Sequence, residues 1–137
     1  MKKKRADYMV LAGRVLLVLG FLAGGFLKFR YLTGTAAYLK EIRVPGAGEN
    51  LALITGLIEF IAALLIMVGY RTRLLAIVLF VYLIPVTWYA HLSIVYSTAD
   101  LVAKDTEIFQ TLKSAAAMGG LLLLALTGPG AYSLDRR

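Results

Sequence analysis

Four apolar blocks, each long enough to cross a lipid bilayer, constrain this chain more than any other feature of its sequence. They run over residues 8–27, 51–70, 74–96 and 108–126. A transmembrane helix needs about 20 apolar residues to cross a hydrocarbon core of roughly 30 Å. A soluble domain of 137 residues, 60% of them hydrophobic, has too little interior to bury such blocks. The sequence therefore predicts an all-α integral membrane four-helix bundle that forms a single domain over residues 1–137.

The first block follows a basic N-terminus, as the apolar core of a secretory signal peptide does. It is longer than such a core, contains Arg14 and precedes three further blocks. We interpret it as a retained first helix, with cleavage as the alternative. Arg14 is expected to lean toward the cytoplasm and reach inner-leaflet phosphates.

Four spans place both termini on one side of the membrane. That side carries eight basic residues and the other side six. The eight are Lys2, Lys3, Lys4, Arg5, Arg71, Arg73, Arg136 and Arg137; the six are Lys28, Arg30, Lys40, Arg43, Lys104 and Lys113. The positive-inside rule therefore predicts cytoplasmic termini.

The connection between the first two spans is long enough to hold structure of its own. The segment "GTAAYLKEIRVPGAGEN" begins with helix formers and stops at Pro45 and Gly46. It predicts a short external amphipathic helix, with Tyr38, Leu39 and Ile42 along its lipid-facing edge.

The third and fourth spans carry local signals. Pro85 should kink or locally open the third helix. Thr106 is the expected N-cap of the fourth helix, with Glu107 in its first turn. The closing "TGPGAYSLD" ends that helix and turns the chain along the inner surface. It lacks the lysine and the following helix of a phosphate loop.

The composition excludes several kinds of chemistry. With no cysteine and one histidine, the chain cannot carry a thiol mechanism, a cysteine-ligated iron–sulfur cluster or covalent c-type haem, and we predict no metal site. The net charge of +7 lies at helix ends and short connections, without the aromatic-interleaved basic face that grips bases. The sequence therefore indicates lipid phosphates and not nucleic acid.

Ionisable residues inside the apolar blocks are the candidates for function. At about 1.5 Å per residue, Glu59 lies roughly 12 Å and Lys113 roughly 8 Å below the outer boundary. Side chains lean toward the N-terminus of their own helix, so Lys28 and His91 lean inward while Glu59 and Lys113 lean outward. These four residues are therefore predicted to meet at one level in the outer half of the membrane.

Small residues accompany these charges along the helix faces. Glu59 shares its stripe with Ala52, Thr55, Gly56, Ala62 and Ala63; Lys113 shares its stripe with Ala116, Ala117 and Gly120; Lys28 follows Gly24 and Gly25. Such residues mark faces where membrane helices approach one another. A charge facing lipid costs at least about 2.5–3.5 kcal/mol, so the charges are predicted to point into the bundle.

Two interpretations of this cluster stay open. The charges form a ligand or proton site, or they only fix the register of the helices. His91 fits an interfacial position as well as a site. Trp88, Tyr89 and Tyr96 fit an outer aromatic belt as well as a stacking box for a ring.

Four stretches together resemble the DoxX family, in particular its short bacterial inner-membrane members. They are "GRVLLVLGFLAGGFLKF", "GLIEF", "VGYRTRLLA" and "ALTGPGAYSLDRR". The resemblance implies a four-helix bundle of the bacterial inner membrane, with Lys28 and Glu59 at recurring polar positions of the first two helices. It also implies a link to quinone-dependent sulfur oxidation, redox-enzyme maturation or oxidative-stress complexes. The cysteine pairs of some redox-related relatives have no counterpart here.

Three functions follow as hypotheses. The first is a quinone-associated subunit of a membrane oxidoreductase system, in which Lys28, Glu59, His91 and Lys113 hold a quinone head group and Trp88 flanks its ring. The second is a non-enzymatic protein that assembles or stabilises a partner complex. The third is a small-anion transporter, because two lysines outnumber one glutamate. The expected partners are the lipid bilayer, a membrane or peripheral redox protein, and further copies of the chain; catalysis itself is left open.

Overall fold

The computed structural model describes residues 2–135, which form five helices and, within that range, no strand. α1 spans Lys2–Arg30, α2 Leu32–Glu41, α3 Glu49–Val68, α4 Thr72–Ser97 and α5 Leu101–Thr127. All but α2 are long and apolar enough to cross a membrane. The predicted all-α bundle with four candidate spans is therefore confirmed. Arg136 and Arg137, which entered the charge count, lie outside the described residues, as does the side chain of Lys2.

The centre of the bundle takes one fully buried residue from each long helix: Val18, Ile66, Leu79 and Leu121. The outward faces carry exposed leucine, isoleucine, valine and phenylalanine side chains. Lipid tails are as apolar as these side chains, so such faces need no protein partner in a bilayer. The apolar blocks thus supply both the interior and the lipid-facing surface.

The helices α1 and α3 approach each other closely at Gly25. A Cβ on Gly25 would lie 2.8 Å from the backbone nitrogen of Phe60 and 2.9 Å from the carbonyl oxygen of Gly56. No side chain fits into that space, so glycine allows the two backbones to meet. The prediction that small residues mark packing faces is confirmed for these two helices.

The helix α4 continues through Pro85 and then changes from α-helical to π-helical geometry. Residues Trp88–Leu92 form a π-helix before α-helical geometry resumes at Ser93. Proline has no N–H to donate, and an inserted π-turn changes which way the following side chains point. The predicted local opening of this helix therefore takes the form of a π-helix.

The start of α5 differs from its prediction. Asp100 is the N-cap, and its side chain accepts a hydrogen bond from the backbone N–H of Val102 at 3.0 Å. Thr106 lies inside the helix, where its hydroxyl donates to the carbonyl oxygen of Val102 at 2.8 Å. The prediction of Thr106 as N-cap is wrong, because the helix begins at Leu101, seven residues before the apolar block.

The short helix predicted between the first two spans is present as α2, but the direction of its apolar edge differs from the prediction. Tyr38, Leu39 and Ile42 line a cavity between α2, α3 and α4. The helix lies over the end of the bundle, so the edge expected to face lipid instead covers that cavity. We call this end of the molecule the α2 end.

The opposite end, called the terminal end, is closed by residues 128–135, the C-terminal segment. Gly128, with φ 82°, ends α5 and lets the chain fold back. The backbone N–H of Asp135 donates to the carbonyl oxygen of Gly69 at 2.8 Å. Its carboxylate accepts from the backbone N–H groups of Arg71 and Thr72 at 2.7 and 2.9 Å. Asp135 thereby caps the N-terminus of α4 from 63 residues further along the chain.

Arg14 also binds the C-terminal segment. It is buried within α1, with 3% of its surface exposed, and its guanidinium donates to the carbonyl oxygens of Pro129 and Tyr132. These carbonyls follow the last helix and have no helical partner, so they suit a long cationic donor. Arg14 leans toward the terminal end as expected, but the prediction that it reaches lipid phosphates is wrong.

Candidate functional site

Glu59 is a buried carboxylate at the contact between α1 and α3. It is 7% exposed and lies on the stripe that carries Ala52, Gly56, Ala62 and Ala63. The ammonium group of Lys28 donates to Glu59 Oε1 at 2.7 Å. The predicted ion pair between the first two spans is therefore present, on packing faces and away from lipid.

A third residue, Tyr82 on α4, completes the arrangement. Its hydroxyl donates to the same oxygen, Glu59 Oε1, at 2.7 Å and accepts from Lys28 Nζ at 2.8 Å. Three long helices thus each contribute one member to a closed ring of hydrogen bonds. We call Lys28, Glu59 and Tyr82 the polar triad.

The other carboxylate oxygen of Glu59 faces a glycine. A Cβ on Gly24 would lie 3.1 Å from Glu59 Oε2. The missing side chain leaves room for the carboxylate between α1 and α3. The two glycines of "FLAGGFLKF" therefore have separate tasks, since Gly25 admits the backbone of α3 and Gly24 admits the head group of Glu59.

Beside the polar triad lies a cavity of about 290 Å³, roofed by α2 and called the α2 cavity. Most of its walls are apolar or aromatic, and its polar side chains include Lys28, Thr55 and Tyr82. Ligand sites of small molecules have this character, with a few convergent polar groups in an apolar enclosure of roughly 300–1,000 Å³. The cavity suits a single ring and not a dinucleotide.

The chemistry of the triad leaves one donor over. An ammonium group carries three N–H protons. Lys28 directs two of them at Glu59 and Tyr82. Because Lys28 also belongs to the wall of the α2 cavity, its third proton is suited to an acceptor inside that cavity.

Tyr38 supplies a further hydroxyl at the α2 end. Burial raises the pKa of Tyr38, and the nearby carboxylates of Glu107 and Glu41 raise it further. The hydroxyl therefore stays protonated at neutral pH and keeps its proton to donate. It donates a long hydrogen bond to the carbonyl oxygen of Ala90, at 3.5 Å.

The structure does not bring His91 and Lys113 to Glu59. His91 Nδ1 lies 2.7 Å from Glu107 Oε2 on α5. Lys113 is exposed and donates to the Gln110 side chain at 3.0 Å. The predicted meeting of four charges is therefore wrong for these two residues, because His91 contacts α5 and Lys113 lies on an exposed face of α5.

Two consequences follow for the earlier hypotheses. Without Lys113, the cluster has one cation for one carboxylate among residues 2–135, so the excess of positive charge behind the anion-transport hypothesis disappears. Trp88 is 52% exposed and does not line the α2 cavity, whereas its neighbour Tyr89 does. An aromatic belt accounts for Trp88 better than a stacking role.

Tyr82 is the member of the polar triad that was not predicted from the sequence. A signal for it exists: the stretch "LFVYLIPV" is apolar apart from one phenolic hydroxyl. A buried tyrosine usually finds a hydrogen-bond partner. A hydroxyl in the middle of a membrane span therefore indicates a polar neighbour on another helix.

Comparisons with known proteins agree with this description. The family model described as DoxX matches residues 9–92, which include all three members of the polar triad. The inner membrane protein YqjF of Escherichia coli K12 is 33% identical over 134 residues, covering 98% of this chain and 95% of YqjF. The inner membrane protein YphA of the same organism is 36% identical over 129 residues, covering 94% of this chain and 89% of YphA. No solved structure matches the chain.

Proposed function

The chain belongs to the DoxX family, and from this premise we propose that it is a quinone-associated subunit of a membrane oxidoreductase system. Its relatives YqjF and YphA are inner membrane proteins. We propose the same bacterial inner membrane for this chain, with cytoplasmic termini. The quinone head group binds in the α2 cavity, and a membrane or peripheral redox protein is the partner that exchanges electrons with it.

One observation carries the proposal: a mainly apolar cavity of ring size has a partly buried, charged hydrogen-bond donor in its wall. The donor set fits a quinone, whose carbonyl oxygens accept hydrogen bonds and take up protons on reduction. Lys28 donates its remaining proton to one such oxygen. Tyr89 and Pro85 offer apolar surfaces against the ring.

Glu59 and Tyr82 act as positioning residues for Lys28. Glu59 Oε1 fixes the ammonium group at 2.7 Å and balances its charge in an apolar setting. Tyr82 joins the same oxygen and the same ammonium group. Glu59 and Tyr82 thereby orient the ammonium group of Lys28 toward a bound acceptor.

The test is the quinone content of protein purified from native membranes, measured by solvent extraction and chromatography. Wild type should retain quinone in proportion to protein. Lys28→Met and Glu59→Gln should each lose about ten-fold or more, the size expected for a charge-assisted hydrogen bond worth about 1.5–3 kcal/mol. The matched control is Lys113→Gln, which removes an exposed lysine away from the triad.

The controls also define failure. If wild type and Glu59→Gln carry the same trace of quinone, the proposal is wrong. If Lys113→Gln loses as much quinone as Lys28→Met, the site lies elsewhere than in the α2 cavity. Thermal melting of each variant in the same detergent shows whether a loss reflects binding or unfolding.

A further inference from the structure

Two recesses at the terminal end meet at the same point of the chain. One is a groove of about 570 Å³ between α1 and α5, called the α1–α5 groove. The other, of about 440 Å³, is called the arginine recess; its charged lining residues are Arg71, Arg73 and Asp135, two cations to one carboxylate. Thr127 and Gly128 belong to both. A long apolar groove therefore runs into a basic pocket.

The α1–α5 groove is open because glycines stand where side chains would fill it. A Cβ on Gly13 would meet no atom within 4 Å. Leu16 and Leu123 line the groove and are largely exposed, which places them on its lipid-facing side. Most of its lining residues are apolar, as a site for an acyl chain requires.

A buried charge lies at the basic end of this groove. Arg14 lines the groove, yet its guanidinium contacts only neutral carbonyl oxygens. Among residues 2–135 no carboxylate forms an ion pair with it, and its Nε atom has no hydrogen-bond partner there. Asp135 interacts electrostatically with Arg14, but its carboxylate oxygens bind the N-terminus of α4 and not the guanidinium. A buried cation that lacks a direct ion pair is costly, so a further anion near Arg14 would be favourable.

The arginine recess supplies the surface charges that such an anion needs. Arg71 and Arg73 are exposed and form no ion pair within the described range. Arg73 Nε would lie 3.1 Å from a Cβ on Gly128, so this guanidinium rests against the backbone at the junction of the two recesses. Arginine binds phosphate oxygens in a bidentate manner. Basic pockets between membrane helices are typical sites for anionic lipid head groups.

From these contacts we propose that the terminal end binds one anionic diacyl phospholipid. Its phosphate lies at Arg71 and Arg73, one acyl chain lies in the α1–α5 groove, and the positive charge of Arg14 attracts the head group from within. This site is separate from the α2 cavity and does not depend on the proposed quinone function. Its expected role is to hold α1 against α5, which the groove otherwise leaves apart.

The experiment is native mass spectrometry of the full chain in detergent, titrated with palmitoyl-oleoyl phosphatidylglycerol. Phosphatidylcholine with the same acyl chains is the neutral comparison, and inorganic phosphate is the comparison without chains. Wild type should hold one phosphatidylglycerol more tightly than phosphatidylcholine. A basic residue near lipid contributes about 1 kcal/mol, so Arg71→Gln with Arg73→Gln should weaken binding about thirty-fold.

Matched variants separate the parts of the site. Arg30→Gln together with Lys40→Gln removes two exposed cations at the α2 end and should leave binding unchanged. Gly13→Leu places a side chain in the α1–α5 groove, where a Cβ meets no atom within 4 Å, and should weaken the binding of phosphatidylglycerol. Gly20→Leu is its control on the same helix, because a Cβ there also meets nothing within 4 Å and Gly20 does not line the groove.

Several results would overturn the proposal. Equal affinity for phosphatidylglycerol and phosphatidylcholine removes the role of charge. If inorganic phosphate binds as tightly as phosphatidylglycerol, the site holds a free anion and not a lipid. A dimer that dissociates in Gly13→Leu while bound lipid stays constant means that a second copy fills the groove.

Discussion

Glu59 accepts two hydrogen bonds on one oxygen, and the two donors differ in what they contribute to stability. Lys28 brings the charge that neutralises the carboxylate, whereas Tyr82 brings only a hydroxyl. Breaking a buried ion pair by removing one partner leaves an uncompensated charge and costs about 3–5 kcal/mol. Removing one hydrogen bond between membrane helices costs about 0.6 kcal/mol on average.

The first stability prediction uses this difference. Lys28→Met should destabilise the bundle by about 3–5 kcal/mol, and Tyr82→Phe by about 1 kcal/mol. The double variant Lys28→Met with Glu59→Leu should be more stable than Lys28→Met alone, because both charges are gone. The measurement is unfolding in mixed micelles with increasing sodium dodecyl sulfate.

The control is Tyr96→Phe, which removes a hydroxyl from a tyrosine that is 78% exposed. Its effect should stay within about 0.5 kcal/mol. If Lys28→Met costs no more than this control, Glu59 is not electrostatically dependent on Lys28. The triad would then be a packing detail and not a charged site.

At the scale of the residue, the sequence predicted a cluster of four charges, of which only the contact between Lys28 and Glu59 is present. Glu59 and Lys28 could be matched because depth and lean along a helix follow from residue counting. Contact also depends on the direction around the helix axis, which counting fixes only within a regular α-helix. Lys113 lies on the exposed side of α5, and His91 lies within the π-helix, where regular periodicity fails.

At the scale of the element, the apolar blocks located the helices but not their ends. Each block marks the part of a helix that lipid can cover, while the polar turns that continue the helix have no hydropathy signal. For α5 the difference is seven residues between the predicted start at 108 and Leu101. The cap of α4 was beyond sequence reasoning altogether, because Asp135 comes 63 residues after Thr72.

The cap supplies the second stability prediction. Asp135→Asn keeps the size of the side chain but removes the charge that faces two backbone N–H groups at the N-terminus of α4. It should lower the free energy of unfolding by about 1 kcal/mol at pH 7, as loss of a good N-cap does. Asp105→Asn, on the exposed surface of α5, is the matched control and should have no measurable effect.

This cap also predicts a pH dependence. Burial alone would raise the pKa of Asp135, but the hydrogen bonds from Thr72 and Arg71 and the charge of Arg14 lower it overall. Since the folded pKa lies below the unfolded value of about 3.9, the stabilisation is complete above about pH 4. It is lost as the pH falls through the lowered folded pKa. Wild type and Asp135→Asn should therefore converge in stability in acid; a constant difference down to pH 2 would contradict the role of the charge.

At the scale of the whole molecule, two cations of α1, the partly buried Lys28 and the buried Arg14, give the two ends different chemistry. Lys28 at the α2 end is balanced by a carboxylate beside a cavity. Arg14 at the terminal end is held by carbonyl oxygens of the C-terminal segment. The first arrangement suits a ligand that accepts protons, and the second ties the last residues of the chain to the bundle. Both ends can work as proposed only if they lie at opposite membrane surfaces.

The last prediction tests that orientation, and the absence of cysteine from the chain makes it direct. Ala37→Cys on α2 and Ala99→Cys before α5 should react with a membrane-impermeant maleimide in intact spheroplasts. Lys4→Cys and Ala131→Cys should react only after lysis, because basic residues at the terminal end hold it in the cytoplasm. All four positions are exposed in the structure. A reversed pattern would place the α2 cavity at the cytoplasmic surface, and disagreement within either pair would exclude the four-span arrangement.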